Sequence, residues 1–336
     1  MARSLITLAG CLVLVSAAGC RPPAATPSPD TAGAIDPTTF AGQTAFDEVR
    51  RFLDVGPRPS GSEGARRAAE YLQGRLTDMS VVAWIDAFTN STPEGPTVFR
   101  NVLGLVNADG KAAPAGTAAD DPLAPIPRDT PLLLLVSHYD TKAGISEDFI
   151  GANDSGSSTG LLLALARHLR ASSVPESAFV ILAAFLDGEE CMRRYGPNDG
   201  LHGSRRLAGQ LEARGLAKRV RAVIVLDMIG DRDLNVTIPR NSTPALMTQV
   251  FQAAEDLGYR TAFGLHRGSI LDDHVPFLER GMPAIDLIDF HFGSAPGRNN
   301  YWHTDEDTLD KIAPQSLEIV GRTVLQILNR SLQRQG

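Results

Sequence analysis

Two adjacent carboxylates, Glu189 and Glu190, close the apolar run Phe179-Val180-Ile181-Leu182-Ala183-Ala184-Phe185-Leu186 through the turn Asp187-Gly188. Side by side at the end of a buried strand, they repel each other unless a cation sits beside them. His138 ends another apolar run in His138-Tyr139-Asp140, and Asp154 lies in the turn-rich stretch Asn153-Asp154-Ser155-Gly156. Asp227 closes residues 220–226, and His303 stands in Tyr301-Trp302-His303-Thr304-Asp305. Two imidazoles and three carboxylates make a hard-to-borderline ligand set that suits zinc. No thiolate cluster accompanies them, so an open catalytic site is expected rather than a closed structural one. Glu189 neighbours a ligand without being one, and can move protons as general base and acid. Each residue alone has a blander reading: a solvated acidic turn, a hydrogen-bonded structural histidine, a turn residue or helix cap at Asp154. Their joint order along the chain favours the site.

The elements that must position these groups alternate. Strands are expected at 81–88, 100–106, 131–137, 179–186, 220–226 and 283–288. Helices are expected at 46–53, 63–76 with Ser62 as N-cap, 161–169, 203–214, 244–257 and 314–332. The run at 179–186 is apolar throughout and that at 131–137 is apolar up to Ser137, as strands covered on both faces require. The expected fold is α/β: a three-layer sandwich with a central mixed, mostly parallel twisted sheet flanked by helices. In such a sheet the carboxyl ends of the strands converge on one edge, where ligands bind. Residues 107–130 read as a loop without chemistry of its own.

A chain of 336 residues with a net charge of −7 fits a large α/β domain and argues against a nucleic-acid partner. Met1 to Cys20 has a basic start at Arg3, an apolar stretch and the ending Ala17-Ala18-Gly19-Cys20, the pattern of an export signal. Residues 21–42, rich in Pro, Ala and Thr, read as a disordered tether, which leaves residues 43–334 as a single catalytic domain. Cys11 and Cys20 fall in the leader, so Cys191 is expected to be a packed free thiol and no internal disulfide framework exists. His168, His202, His266 and His291 are read as surface or structural residues, and Trp84 as core. His274 either orients the Asp272–Asp273 loop or simply packs.

The Ala-Ala-Gly-Cys ending resembles the lipobox of bacterial lipoproteins, with Cys20 as the lipidated residue. The resemblance implies an exported, membrane-anchored envelope protein. Arg21 after the cysteine favours the outer membrane or surface, and plain secretion is the alternative. The body resembles the zinc exopeptidase superfamily of the bacterial aminopeptidase type. The pattern is His138-Tyr139-Asp140, Asp154-Ser155, Asp187-Gly188-Glu189-Glu190, Leu226-Asp227-Met228-Ile229-Gly230 and Trp302-His303-Thr304. Within it, three features are similar to the glutaminyl-peptide cyclotransferases (glutaminyl cyclases). They are the long stretch Tyr195–Arg205 after the glutamates, Asp272-Asp273-His274-Val275-Pro276-Phe277-Leu278, and Trp302 directly before His303. This resemblance implies one zinc on Asp154, Glu190 and His303, with Glu189 as proton shuttle networked to Asp227 and Asp272. It also implies a pocket wall of Ile270, Trp302 and Tyr195, the last standing where animal cyclases carry Trp. Ser137 and Thr159 occupy the positions of a disulfide in those enzymes, which is therefore absent, and the loop at 290–300 is long.

Two activities and one inactive reading stay open at this level. A one-zinc cyclase would convert the N-terminal glutamine of a peptide to pyroglutamate and ammonia. A two-zinc aminopeptidase would add His138 and Asp227 as ligands, with Asp154 bridging, and activate water through Glu189. A non-catalytic, lipid-anchored binding protein on the same fold predicts a broken site. In the enzymatic readings the partner is a peptide or protein N-terminus, and the chain is taken as a monomer.

Overall fold

The computed structural model describes residues 1, 35–108, 121–127, 129–172, 174–175 and 178–333. The export signal, Cys20 and the tether up to residue 34 lie outside the described residues, Met1 aside. The tether does not extend to residue 42. Ile35 and Phe40 are buried in the core, and the Gly42 amide donates to Glu318 Oε2 at 3.0 Å. Their apolar side chains remove this segment from water.

The strands β1 (Val82–Thr92), β2 (Gly95–Leu105), β3 (Leu132–His138), β4 (Val180–Leu186), β5 (Val220–Asp227), β6 (Val236–Ile238), β7 (Phe263–Leu265) and β8 (Ala284–Ile288) form one sheet. Its order is β1-β2-β4-β3-β5-β8-β6-β7. The central run β4-β3-β5-β8 is parallel. The β1-β2 hairpin joins β4 antiparallel, and β6 meets β8 antiparallel. The sheet is thus mixed with a parallel centre, as expected. Every residue of β3 and β4 is buried.

Alternate residues of the central strands feed opposite faces. Leu133, Leu135, Ile181, Ala183, Phe185, Ile224 and Leu226 pack under α1 (Gly42–Leu53), α2 (Glu63–Asp78), α3 (Ser158–Ala171), α5 (Pro244–Asp256) and α7 (Pro314–Gln333). Leu132, Leu134, Val136, Val180, Leu182 and Leu186 pack under α4 (His202–Ala213) and α6 (His274–Leu278). These are the three layers. α1 reaches α3 closely because position 160 is glycine: a Cβ there would lie 2.4 Å from Val49 Cγ2 and 2.5 Å from its amide nitrogen. Ser62 caps α2, accepting from the Ala65 amide at 3.1 Å. Trp84 is buried.

Several boundaries moved. α1 begins at Gly42 instead of 46, and β1 and β2 extend to a tight hairpin closing on Thr92 and Gly95. β6, β7 and α6 were not foreseen; three to five residues are too few to show a period. Within the expected loop at 107–130, Leu123 and Ile126 are buried against the α4 face; residues 109–120 and 128 lie outside the described residues. Where a disulfide is implied in relatives, Ser137 Oγ donates to Ser158 Oγ at 2.9 Å and Thr159 Oγ1 to the His138 carbonyl at 3.0 Å.

Arg58, in the loop before α2, is fully buried. Its guanidinium donates to the carbonyls of Tyr139 (2.5 Å), Ile150 (2.5 Å) and Gly151 (3.1 Å), lashing the end of β3 to the loop that carries Asp154. Arg58→Ala strands two buried carbonyls and a part-buried one. A loss of about 3 kcal/mol or more is expected in chemical denaturation, with weakened metal retention because the Asp154 loop loses its tie. A variant as stable as the parent would refute this bracing role.

Candidate active site

The carboxyl ends of the central strands deliver the site. His138 is the last residue of β3 and Asp227 the last of β5, while Glu189 and Glu190 follow β4. Gly188, at φ +78°, turns the chain after β4; a Cβ there would sit 2.5 Å from the Phe99 ring. Asp154 comes from the loop before α3, and His303 from the loop after β8.

Two triads share Asp154. Ligand atoms of Asp154, Glu190 and His303 lie within 4.8 Å of one another, and so do those of His138, Asp154 and Asp227. His303 Nε2 is 2.8 Å from Glu190 Oε1 and 3.3 Å from Asp154 Oδ2. His138 Nε2 is 3.1 Å from Asp154 Oδ1 and 3.3 Å from Asp227 Oδ1. Glu190 Oε2 is buried without a hydrogen-bond partner, and Lys142 Nζ stands 3.4 Å away. Converging acids, an orphaned carboxylate oxygen and imidazole nitrogens fit a divalent ion.

Electrostatics tell the same story. Burial pushes the Glu190 carboxyl up, and Asp154 adds to it. Burial opposes the ionised form of Asp154, yet hydrogen bonds from His138 and His303 hold its carboxyl well below the usual range. Burial would lower His303, but Asp154 and Glu190 overcome it and raise the imidazole to about 10. Burial raises Glu189 far above a free acid, reinforced by Glu190, Asp272 and Asp273 and opposed by His138. Burial also carries Asp227 to about 7 and Asp273 to about 8, with Asp272 adding to both. Without a metal, this site holds protons that a cation would displace.

The raised groups bind protons more tightly folded than unfolded. Their stabilisation is therefore full below the unfolded values and is lost as pH rises through about 7 to 10. Asp154 has the opposite sign and matters only as pH falls below 3.8. The metal-free protein should melt at a lower temperature near pH ~8.5 than near pH ~5.5, and zinc should stabilise it more at the higher pH. Thermal melts in chelator, then with zinc, check this; a melting temperature flat across that interval would contradict it.

A cavity of about 340 Å³ opens beside the triads. Glu189, Glu190, Asp154, Asp227, Asp272 and His303 line its polar side, and Tyr195, Ile270, Ile288, Phe290 and Trp302 its apolar side. Trp302 stacks on His303 at 4.0 Å between centroids and tilts against Phe290 at 5.1 Å. The structure thus brings together all ten candidate site residues, His138 lying behind Asp154 and Asp227 rather than on the cavity wall.

Several supporting residues were not foreseen. Asp140 accepts from the Glu189 and Glu190 amides at 3.2 Å each, and Asp307 from the amides of Asn153 (2.6 Å) and Asp154 (3.1 Å). The His-x-Asp spacing hinted at Asp140; nothing singled out Asp307 from its neighbours Asp305 and Glu306. His266, read as surface or structural, lines the cavity. Asn241 bridges His274 Nε2 at 2.9 Å to the backbone of Ile270, so His274 helps orient that loop. Cys191 is a buried free thiol.

Residues 123–328 match the family model of Peptidase family M28. The chain belongs to peptidase family M28. The chain is 30% identical over 298 residues to the glutaminyl-peptide cyclotransferase-like protein of Bos taurus, covering 81% of this chain and 71% of the relative. Among solved structures, a glutaminyl cyclase from an Acidobacteriales bacterium superposes with a TM-score of 0.78 at 31% identity, over 93% of this chain and 99% of that one. The glutaminyl cyclase of Porphyromonas gingivalis gives 0.70 at 27% identity, over 88% and 99%. This M28 chain therefore sits in the glutaminyl-cyclase branch, with the expected α/β fold.

Proposed function

We propose that this M28 protein is a zinc-dependent glutaminyl-peptide cyclotransferase, an acyltransferase that converts N-terminal glutamine to pyroglutamate and releases ammonia. One observation carries the reading. Glu189 shares a small, mostly apolar cavity with Asp272 and Asp227 and stands beside the Asp154–Glu190–His303 triad. The chain's likeness to glutaminyl cyclases at about its full length supports it.

Asp154, Glu190 and His303 would hold the zinc, which supplies a Lewis acid for the γ-carboxamide carbonyl. Trp302, Ile270 and Tyr195 enclose the glutamine side chain, leaving its α-amino nitrogen toward Glu189. That nitrogen forms a bond to the carboxamide carbon, and the bond to the amide nitrogen breaks. Glu189 takes the proton lost by the α-amino group and returns it to the departing nitrogen, which leaves as ammonia. Its basicity, raised by burial and neighbouring acids, suits both halves of that exchange. The five-membered ring brings the reacting atoms together, so the protein orients more than it activates.

One observation favours a second reading: His138, Asp154 and Asp227 are also assembled for a metal, as a two-zinc aminopeptidase would need. Purified protein should release ammonia from a glutamine-initiated peptide and leave a panel of aminoacyl reporters intact. Amino-acid release without cyclisation would establish the peptidase, and neither activity the non-catalytic reading. We further propose that Cys20 is lipidated and anchors a monomeric enzyme to the bacterial envelope. The Ala-Ala-Gly-Cys sequence supports it. Cys20→Ser should move the protein from the membrane to the soluble fraction.

A further inference from the structure

The ten residues after Glu190 are built around one side chain. The Asp199 carboxylate accepts from the amides of Met192 (2.6 Å), Arg193 (2.9 Å) and Arg194 (2.9 Å), curling the chain back toward Tyr195. Gly196 and Asp199 exchange backbone hydrogen bonds at 2.9 and 3.2 Å. Gly200, at φ +76°, lies under the Tyr195 ring; a Cβ there would meet ring carbons at 2.5 and 2.7 Å. The far end is tied back where it started, the Leu201 amide donating to the Glu189 carbonyl at 3.0 Å. All this places Tyr195 Oη 2.9 Å from Glu189 Oε1.

A pocket wall needs only a ring. This loop aims a hydroxyl at one oxygen of one carboxylate. Burial and the adjacent glutamate hold the phenol far above its ordinary pKa, so it stays a donor. A carboxylate pinned at Oε1 by a charge-assisted hydrogen bond loses rotation about its terminal torsion.

We infer that Tyr195 is a positioning residue as well as a wall: its phenol fixes Oε1 of Glu189 and so dedicates Oε2 to carrying the proton between the α-amino group and the leaving ammonia. This rests on Glu189 being the proton carrier.

Tyr195→Phe keeps the ring and removes the donor. With zinc content and melting temperature unchanged, kcat should fall about 10- to 100-fold while KM for a glutamine-initiated peptide holds within about twofold. Glu189→Gln, assayed alongside, separates the two claims. If that variant turns over, the proton carrier is misassigned; if it is dead while Tyr195→Phe keeps full kcat, only the positioning role falls. A raised KM with unchanged kcat would leave Tyr195 a wall and overturn the inference. Should Tyr195→Phe fail to fold, 3-fluorotyrosine at 195 decides. Its more acidic phenol donates more strongly and lowers the basicity of Glu189, so kcat should drop about threefold with KM unmoved, and an unchanged kcat overturns the inference.

Discussion

Glu189→Gln should lose turnover by about a thousandfold or more while keeping its metal. The substitution is nearly isosteric and removes the only function that the geometry leaves to this side chain. Glu189 is outside both triads, so metal content measured by atomic emission should match the parent. The backbone tie of Glu189 to Asp140 and its contact with Tyr195 do not need the carboxylate's basicity, so the fold should hold. Burial keeps the parent carboxyl well above a free acid; an amide in its place can neither take nor return a proton. Measurable cyclisation within about tenfold of the parent would mean that proton transfer runs through another group.

Stripping the metal should be as severe. A chelated protein should be inactive, and about one equivalent of zinc per chain should restore it. Ligand substitutions then tell the triads apart. Asp154 belongs to both, so Asp154→Ala should lose the metal under either stoichiometry. His303→Ala should also lose it. His138→Ala is the discriminating change, because His138 contacts Asp154 and Asp227 but lies outside the Asp154–Glu190–His303 set. It should keep one zinc while losing activity in part, because the Asp154 carboxylate loses a hydrogen bond that holds it. Two zincs in the parent falling to one in His138→Ala, with release of N-terminal residues, would make this member of M28 an aminopeptidase.

A further set of buried residues holds the ligand-bearing loops in place. Arg58, Asp140 and Asp307 bond backbone atoms of the loops that carry Asp154, Glu189 and Glu190. Each is buried, and each acts on where a ligand sits rather than on the metal. Partners of this kind tune metal sites by orientation.

What the sequence determined was the scaffold and the chemistry-bearing residues. The apolar runs of β3, β4 and β5, broken before their last residues only at Ser137 and Arg221, read as strands covered on both faces, and their alternation with helical stretches points to a parallel centre. Polar residues just past such strands converge on one edge, so His138, Glu190 and Asp227 were legible as neighbours from order alone. Tertiary structure decided the rest, because contacts between residues far apart in sequence leave no local period. It chose Asp307 among three adjacent acids, seated Arg58 beneath the Asp154 loop, and set Asp154 between two histidines. It carried the buried core back to Ile35, whose burial depends on the core that α7 completes. It also turned Tyr195 from a wall residue into a partner of Glu189, a relation fixed by a glycine and an aspartate that no hydrophobic pattern encodes.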